Sequence, residues 1–266
     1  MCPRLEKKTT FRFIKGVVAS ILFLLTIVPS LGQTSLESIF DQGNQAYNNG
    51  EYQQALLHYG EIVEQGKHSW VLYFNMANSY YRLNMVAEAN FYYEKARILN
   101  PLNEDIIVNS QFAQNMTLDT IIPLETSPLQ RLFSRYLGFY SLDGWAILAI
   151  VFGWTILILF ICFLWSKAPS VRKVLFAGLS LVFVLLIMTG STAYHLSNQL
   201  KNKTFAIIFS EQVEIYSEPN QRSEIQFYLH EGTKVELLEE LQQWQNIRLA
   251  NGANGWIKNA DLRIIR

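Results

Sequence analysis

Cysteine is nearly missing from this 266-residue chain: there are two, Cys2 and Cys162. Cys2 falls in a stretch that reads as removed on export, and Cys162 lies inside a long apolar run. Neither is placed to bridge soluble parts, so cysteine usage does not report the redox compartment. Histidine is scarce as well. His58, His68, His195 and His230 show no metal-ligand spacing, and no cysteine joins them. There is no glycine-rich phosphate loop and no Gly-x-Ser-x-Gly elbow. A catalytic claim needs a site and not just a fold. The expectation is therefore a protein that is not an enzyme, with no cofactor and no metal. Charge is sparse too, at 17% of residues, against about 25% in an ordinary soluble domain. Residues 33–130 hold eleven acids against four bases. That balance argues against a nucleic-acid footprint and reads as a solvated helical surface.

Apolar residues make up half of the chain, and the excess is concentrated in residues 16–28, 145–165 and 174–194. Ahead of the first run stand Arg4, Lys7, Lys8, Arg12 and Lys15. Behind it Ser30 and Gly32 occupy the −3 and −1 places for cleavage before Gln33. This three-part pattern predicts a secretory signal peptide over 1–32 rather than an uncleaved anchor. The other two runs have the length of spanning helices, with Trp145, Trp165 and Tyr194 at interfacial positions. They predict a transmembrane hairpin of 145–165 and 174–194. Its loop, 166–173, carries Lys167, Arg172 and Lys173, in agreement with the positive-inside rule; Arg131, Arg135, Lys201 and Lys203 flank the opposite ends, and the signal peptide decides for a cytoplasmic loop. Ala149 and Gly153 form a small-xxx-small pair suited to seating the second helix or a partner helix.

Residues 43–67 and 77–101 repeat at an offset of 34. Gly43 faces Ala77, Asn44 faces Asn78, Tyr47 faces Tyr81, Ala55 faces Ala89, and Tyr59 faces Tyr93. Small residues mark points where two helices cross closely, and aromatics fill the space beside them. A 34-residue period of this kind predicts helix-turn-helix repeats over 33–116. Residues 103–116 read as a covering helix. The pattern resembles tetratricopeptide repeats, with Lys67 in place of the usual closing proline and Asn84-Met85 in place of the usual turn. The resemblance implies a groove lined by the first helix of each pair. Phe40, Asn44, Tyr47 and Asn48, then Val71, Phe74, Asn78, Tyr81 and Arg82, are the candidate peptide-binding residues. For Tyr47 and Tyr81, ordinary packing is an equal reading. Residues 117–144 form a linker or juxtamembrane segment. Within it Leu129–Leu137 reads either as an amphipathic helix at the membrane face or as plain linker.

After a short linker over 195–203, residues 204–266 change character. Val213–Tyr216 and Lys234–Leu237 alternate as half-buried strands do. Turn signals stand at Ser217–Asn220, Glu231–Thr233 and Asn251-Gly252. A small β-barrel is predicted. Tyr216-Ser-Glu-Pro219, Gly232-Thr-Lys-Val235, Trp244 and Gly255-Trp256-Ile257 resemble a bacterial SH3 domain. Tyr216, Trp244 and Trp256 are the candidate ligand face. Trp244, set among glutamines, is expected to be exposed, and Trp256 to be packed.

The fold class expected is thus multidomain: an all-α tetratricopeptide repeat, a two-helix transmembrane hairpin and an all-β SH3-like barrel. The order of parts resembles the BatE-like proteins of bacterial aerotolerance operons. That resemblance implies an inner-membrane protein with both modules in the periplasm. It also implies partners among membrane proteins of the same operon that carry von Willebrand factor A domains. A scaffold or assembly role is the first reading, and peptidoglycan binding through the barrel is the second.

Overall fold

The structure, a computed structural model, describes residues 33–265. The expected signal peptide over 1–32 lies outside the described residues. The described residues divide into two compact units, with the division between Lys67 and His68.

In the first unit, α1 (Gln33–Asn48) and α2 (Tyr52–Glu64) form a hairpin. Its turn passes through Gly50 at φ +83°, a left-handed conformation that glycine adopts without a side-chain clash. α2 buries Ala55, Tyr59 and Ile62, which share one face of a 3.6-residue helix.

The second unit opens with α3 (Trp70–Arg82), α4 (Val86–Leu99) and α5 (Glu104–Gln114). The Ser69 side chain accepts from Leu72 N at 3.1 Å, and Asn103 accepts from Ile106 N at 3.0 Å. Each such cap is worth about 1 kcal/mol. Asn84 has φ +61° at the α3–α4 turn, the place that Gly50 holds 34 residues earlier. Asparagine is among the few residues that visit this conformation routinely, so the turn survives its departure from the usual sequence.

An extended strap follows, and then α6 (Pro128–Leu137). α6 starts with proline at its first turn and a complete capping box between Ser127 and Gln130. Of the two readings of this stretch, the helix is the one found. It packs on the ends of α7 (Leu142–Trp165) and α8 (Pro169–Asn202). Trp145 Nε1 donates to Leu137 O at 3.2 Å, and the Tyr136 hydroxyl lies 3.1 Å from Thr192 Oγ1. α7 and α8 pack on each other and are long and apolar enough to cross a membrane. Their outward faces present Ile147, Trp154, Phe176 and Phe183. Pro169 starts α8, so Arg172 and Lys173 sit on its first turns rather than in an open loop. α8 also continues through 195–202, the residues assigned to a linker. The small pair Ala149/Gly153 does not seat the second helix. A Cβ on Gly153 would meet nothing within 4 Å, whereas one on Gly178 would lie 3.8 Å from Leu159.

Seven strands complete the unit: β1 (Thr204–Ile208), β2 (Gln212–Tyr216), β3 (Ile225–His230), β4 (Lys234–Leu241), β5 (Trp244–Arg248), β6 (Asn254–Lys258) and β7 (Leu262–Ile265). They form one sheet in the order β3-β2-β6-β5-β4-β1-β7, with every neighbouring pair antiparallel. Its core is aliphatic: Ile208, Val213, Ile215, Val235, Ile247 and Ile257 are buried together. The architecture is consistent with an SH3-like domain.

Candidate functional site

The two helical hairpins carry the same internal contacts. In the first, the Tyr59 hydroxyl donates to Asn44 Oδ1 at 2.9 Å, and the Tyr59 ring lies 5.8 Å from that of Phe40. In the second, the Tyr93 hydroxyl donates to Asn78 Oδ1 at 2.5 Å, with Phe74 at 6.0 Å. Buried tyrosines need a partner for the hydroxyl, and the asparagine one helix back supplies it. Both groove asparagines therefore have their amide oxygens bonded within their own hairpins, and both phenylalanine rings pack there. Gly43 fits the same motif: a Cβ there would come within 2.5 Å of the Tyr59 ring. Tyr47 packs edge-on against Tyr52 at 5.3 Å. Tyr81 is half-buried against the Ala77–Tyr93 cluster. Asn48 and Arg82 are exposed, and Val71 is half-buried. Replacing Tyr93 with phenylalanine is expected to lower stability by about 1 kcal/mol, the usual net worth of one such bond. Thermal unfolding of the full chain in detergent checks this, and an unchanged midpoint would contradict it.

The three predicted ligand residues of the β domain are neighbours, but of the three Tyr216 alone lines a cavity. Tyr216 lines an open cavity of about 310 Å3 with Glu214, Gln221, Tyr228 and Lys258. Its hydroxyl donates to the Glu214 carboxylate, and that bond, with burial, raises the phenol above its ordinary pKa. Trp244 corrects the expectation of exposure: it is 5% exposed, edge-on to Tyr216 at 5.5 Å. The exposed glutamines before it belong to the β4–β5 turn, where Gln242 has φ +55°. Trp256 is half-buried, more open than Trp244. Tyr228, half-exposed at the cavity, is a residue that sequence reasoning missed.

A second feature had no sequence signal. The outer face of α4 packs on β1 and β7. Asn90 Nδ2 donates to Gly232 O at 3.0 Å, and Lys234 Nζ meets Glu94 Oε2 at 2.7 Å. Arg97 reaches the same carboxylate oxygen at 2.8 Å. Burial lowers the Lys234 pKa, and Glu94 opposes that shift. Gly232 is required twice over. Its φ is +83°, and a Cβ would lie 2.8 Å from Val86 and 2.9 Å from Thr117. The strap after α5 joins the seam: Ile121 packs on the β-domain core, and Leu124 N donates to Ala250 O at 3.2 Å. Phe91 and Arg263 both pack on Phe209 at its edge. A buried ion pair gives little net stability but penalises misalignment. Among the described residues, no three His, Cys, Asp or Glu side chains gather as metal ligands.

Comparison with known families agrees with both modules. A tetratricopeptide repeat family model matches residues 70–103, and a bacterial SH3 domain family model matches residues 211–263. No curated protein matches the chain. Two modules of kinds used for protein interaction or peptidoglycan binding therefore flank a pair of helices long and apolar enough to cross a membrane.

Proposed function

We propose that this chain is a non-enzymatic scaffold or assembly factor of a bacterial inner membrane, presenting both modules to the periplasm. The observation that carries the reading is the seam. Residues before the apolar hairpin meet residues after it, at Glu94–Lys234, 2.7 Å apart, and at Asp119–His230, 2.8 Å apart. A two-helix hairpin returns the chain to the membrane face it left, so the two modules share a compartment and can dock. Lys167, Arg172 and Lys173 gather at the closed end of the hairpin, which favours a cytoplasmic location for that end. α8 has 34 residues, a length of about 51 Å against a hydrocarbon core of about 30 Å. Its last turns therefore stand clear of the bilayer and join β1 through Lys203 alone. The likeness to BatE-like proteins favours membrane partners with von Willebrand factor A domains, in an aerotolerance or stress-related complex.

Crosslinking in membranes with affinity purification tests the reading. A Tyr81→Ala/Arg82→Ala variant of α3 is expected to lose at least tenfold of its captured membrane partner. Tyr228→Ala is expected to retain it. The cavity beside Tyr216 supports a second reading, since two tyrosines with Glu214 and Lys258 suit a polar, ring-bearing wall fragment. Peptidoglycan retention that is lost in Tyr228→Ala, with partner capture unaffected by the α3 variant, would replace the first reading with the second.

A further inference from the structure

We propose that the cavity in the seam between the second repeat and the β domain binds a short peptide through its free carboxylate and its backbone N–H groups. The cavity measures about 530 Å3, within the range of small-ligand pockets. α4 and the end of α5 form one wall, the strap a second, and β1, β4 and the end of β5 a third.

Its acceptors are the first sign. Asn90 and Glu94 line the cavity and are 3% and 4% exposed. Asn90 Oδ1 and Glu94 Oε1 have no hydrogen-bond partner among the described residues. Folded proteins leave few buried polar atoms in that condition. The other Glu94 oxygen already holds two cations, Lys234 and Arg97. A neutral N–H donor therefore suits Oε1 better than a third positive charge.

Arg248 is the second sign. It lines the same cavity and is half-exposed, and it pairs only loosely with Glu236, at 3.8 Å. That distance is too long for a hydrogen bond, so its planar fork of donors is available for a carboxylate. Gln114, Asn115 and Thr120 add amides and a hydroxyl to the lining.

The combination selects among ligands. A sugar would satisfy the acceptors and leave Arg248 without an anion. A doubly charged phosphate would face Glu94, Asp119 and Glu236, one carboxylate from each wall. A peptide brings N–H groups to the buried acceptors and one carboxylate to the one open guanidinium. The site does not depend on the α3 surface or on the Tyr216 cavity, so it can fail or hold separately from the readings above.

The test uses the full chain in nanodiscs and an equimolar pool of free-acid tripeptides. The most strongly retained member is resynthesised as the acid and as the C-terminal amide, and both are titrated. The amide is expected to bind about tenfold more weakly, as loss of a charge-assisted bidentate contact implies. Arg248→Gln is expected to show the same loss for the acid and little further loss for the amide. Gln114→Trp places a large ring at the cavity from an exposed position on α5 and is expected to abolish binding. Tyr228→Ala, in the other cavity, is expected to leave binding unchanged. Hydrogen exchange confirms that each variant keeps the seam. Failure of every tripeptide to bind wild type, or equal binding by the Gln114→Trp protein, overturns the proposal. So does binding that disappears in Tyr228→Ala.

Discussion

Replacing Gly255 with alanine is expected to destabilise the β domain by about 3 kcal/mol, at the upper end of the cost of overpacking. Gly255 is buried in β6, opposite Ile247 of β5. A Cβ there would lie 2.4 Å from Ile215 Cγ2 and 3.0 Å from Tyr216 O. Ile215 is fully buried in the aliphatic core, and the oxygen belongs to backbone, so neither can swing aside. The approach is close because β2 meets β6 at this point, through Tyr216 and Trp256, just where the β2–β3 register shifts. Small domains have only about 5–15 kcal/mol of stability to lose. Hydrogen exchange of β5 and β6 in the full chain measures the effect, with α1 and α2 as an internal control. Gly60→Ala gives the contrast. Gly60 lies within α2 with nothing within 4 Å of the added methyl, so alanine there is expected to stabilise by about 1 kcal/mol. Equal exchange in Gly255→Ala and wild type would show that the strands do not approach so closely.

Gly255 illustrates what could be read in advance. It belongs to Gly255-Trp256-Ile257, a stretch that marks the strand but does not show the close approach behind it. Local patterns found the elements themselves. The offset between Gly43/Tyr59 and Ala77/Tyr93 exposed both helical hairpins, because helix crossing demands small residues beside large ones at fixed spacing. The alternation in Val213–Tyr216 marked a strand for the same kind of reason. The pairs Asn44–Tyr59 and Asn78–Tyr93 show where the reading failed. Each asparagine looks free for a ligand in the sequence because its bond partner stands fifteen residues away, on the next helix. The glutamines before Trp244 report the turn and not the strand, so they do not reveal its burial. The seam was invisible for a stronger reason. Asn90, Glu94, Asp119 and Lys234 recur with no period, and their partners lie more than a hundred residues apart. Only the tertiary fold brings them together.

Asp119 is the seam residue whose loss is expected to cost most. Its Oδ2 accepts from His230 N at 2.7 Å and from Thr233 Oγ1 at 2.6 Å, and its Oδ1 lies 2.8 Å from His230 Nδ1. One carboxylate from the strap thus ties down the whole turn between β3 and β4. Asp119→Ala removes all three contacts and leaves the His230 amide without its acceptor. The expected cost is about 3 kcal/mol, since bonds to a charged group count for about 1.5–3 kcal/mol each and do not add fully. The readout is faster exchange at Leu124, whose amide is bonded to Ala250 O, with β5 and β6 unchanged. The same carboxylate sets a pH dependence. Burial alone would raise its pKa, but the hydrogen bonds from His230 and Thr233 outweigh burial and hold it below the usual value. A depressed folded-state pKa stabilises above the unfolded value, which is about 4 for aspartate, and that stability is lost as pH falls through the folded value. Strap protection is therefore expected to be constant through neutral pH and to fall below about pH 4, by the same linkage. Asp119→Asn keeps one acceptor oxygen but has no proton to gain. It is expected to start from weaker protection and to lose the contribution of this group to the acid transition. An Asn variant that follows the wild-type acid profile would show that the strap is released by some other group.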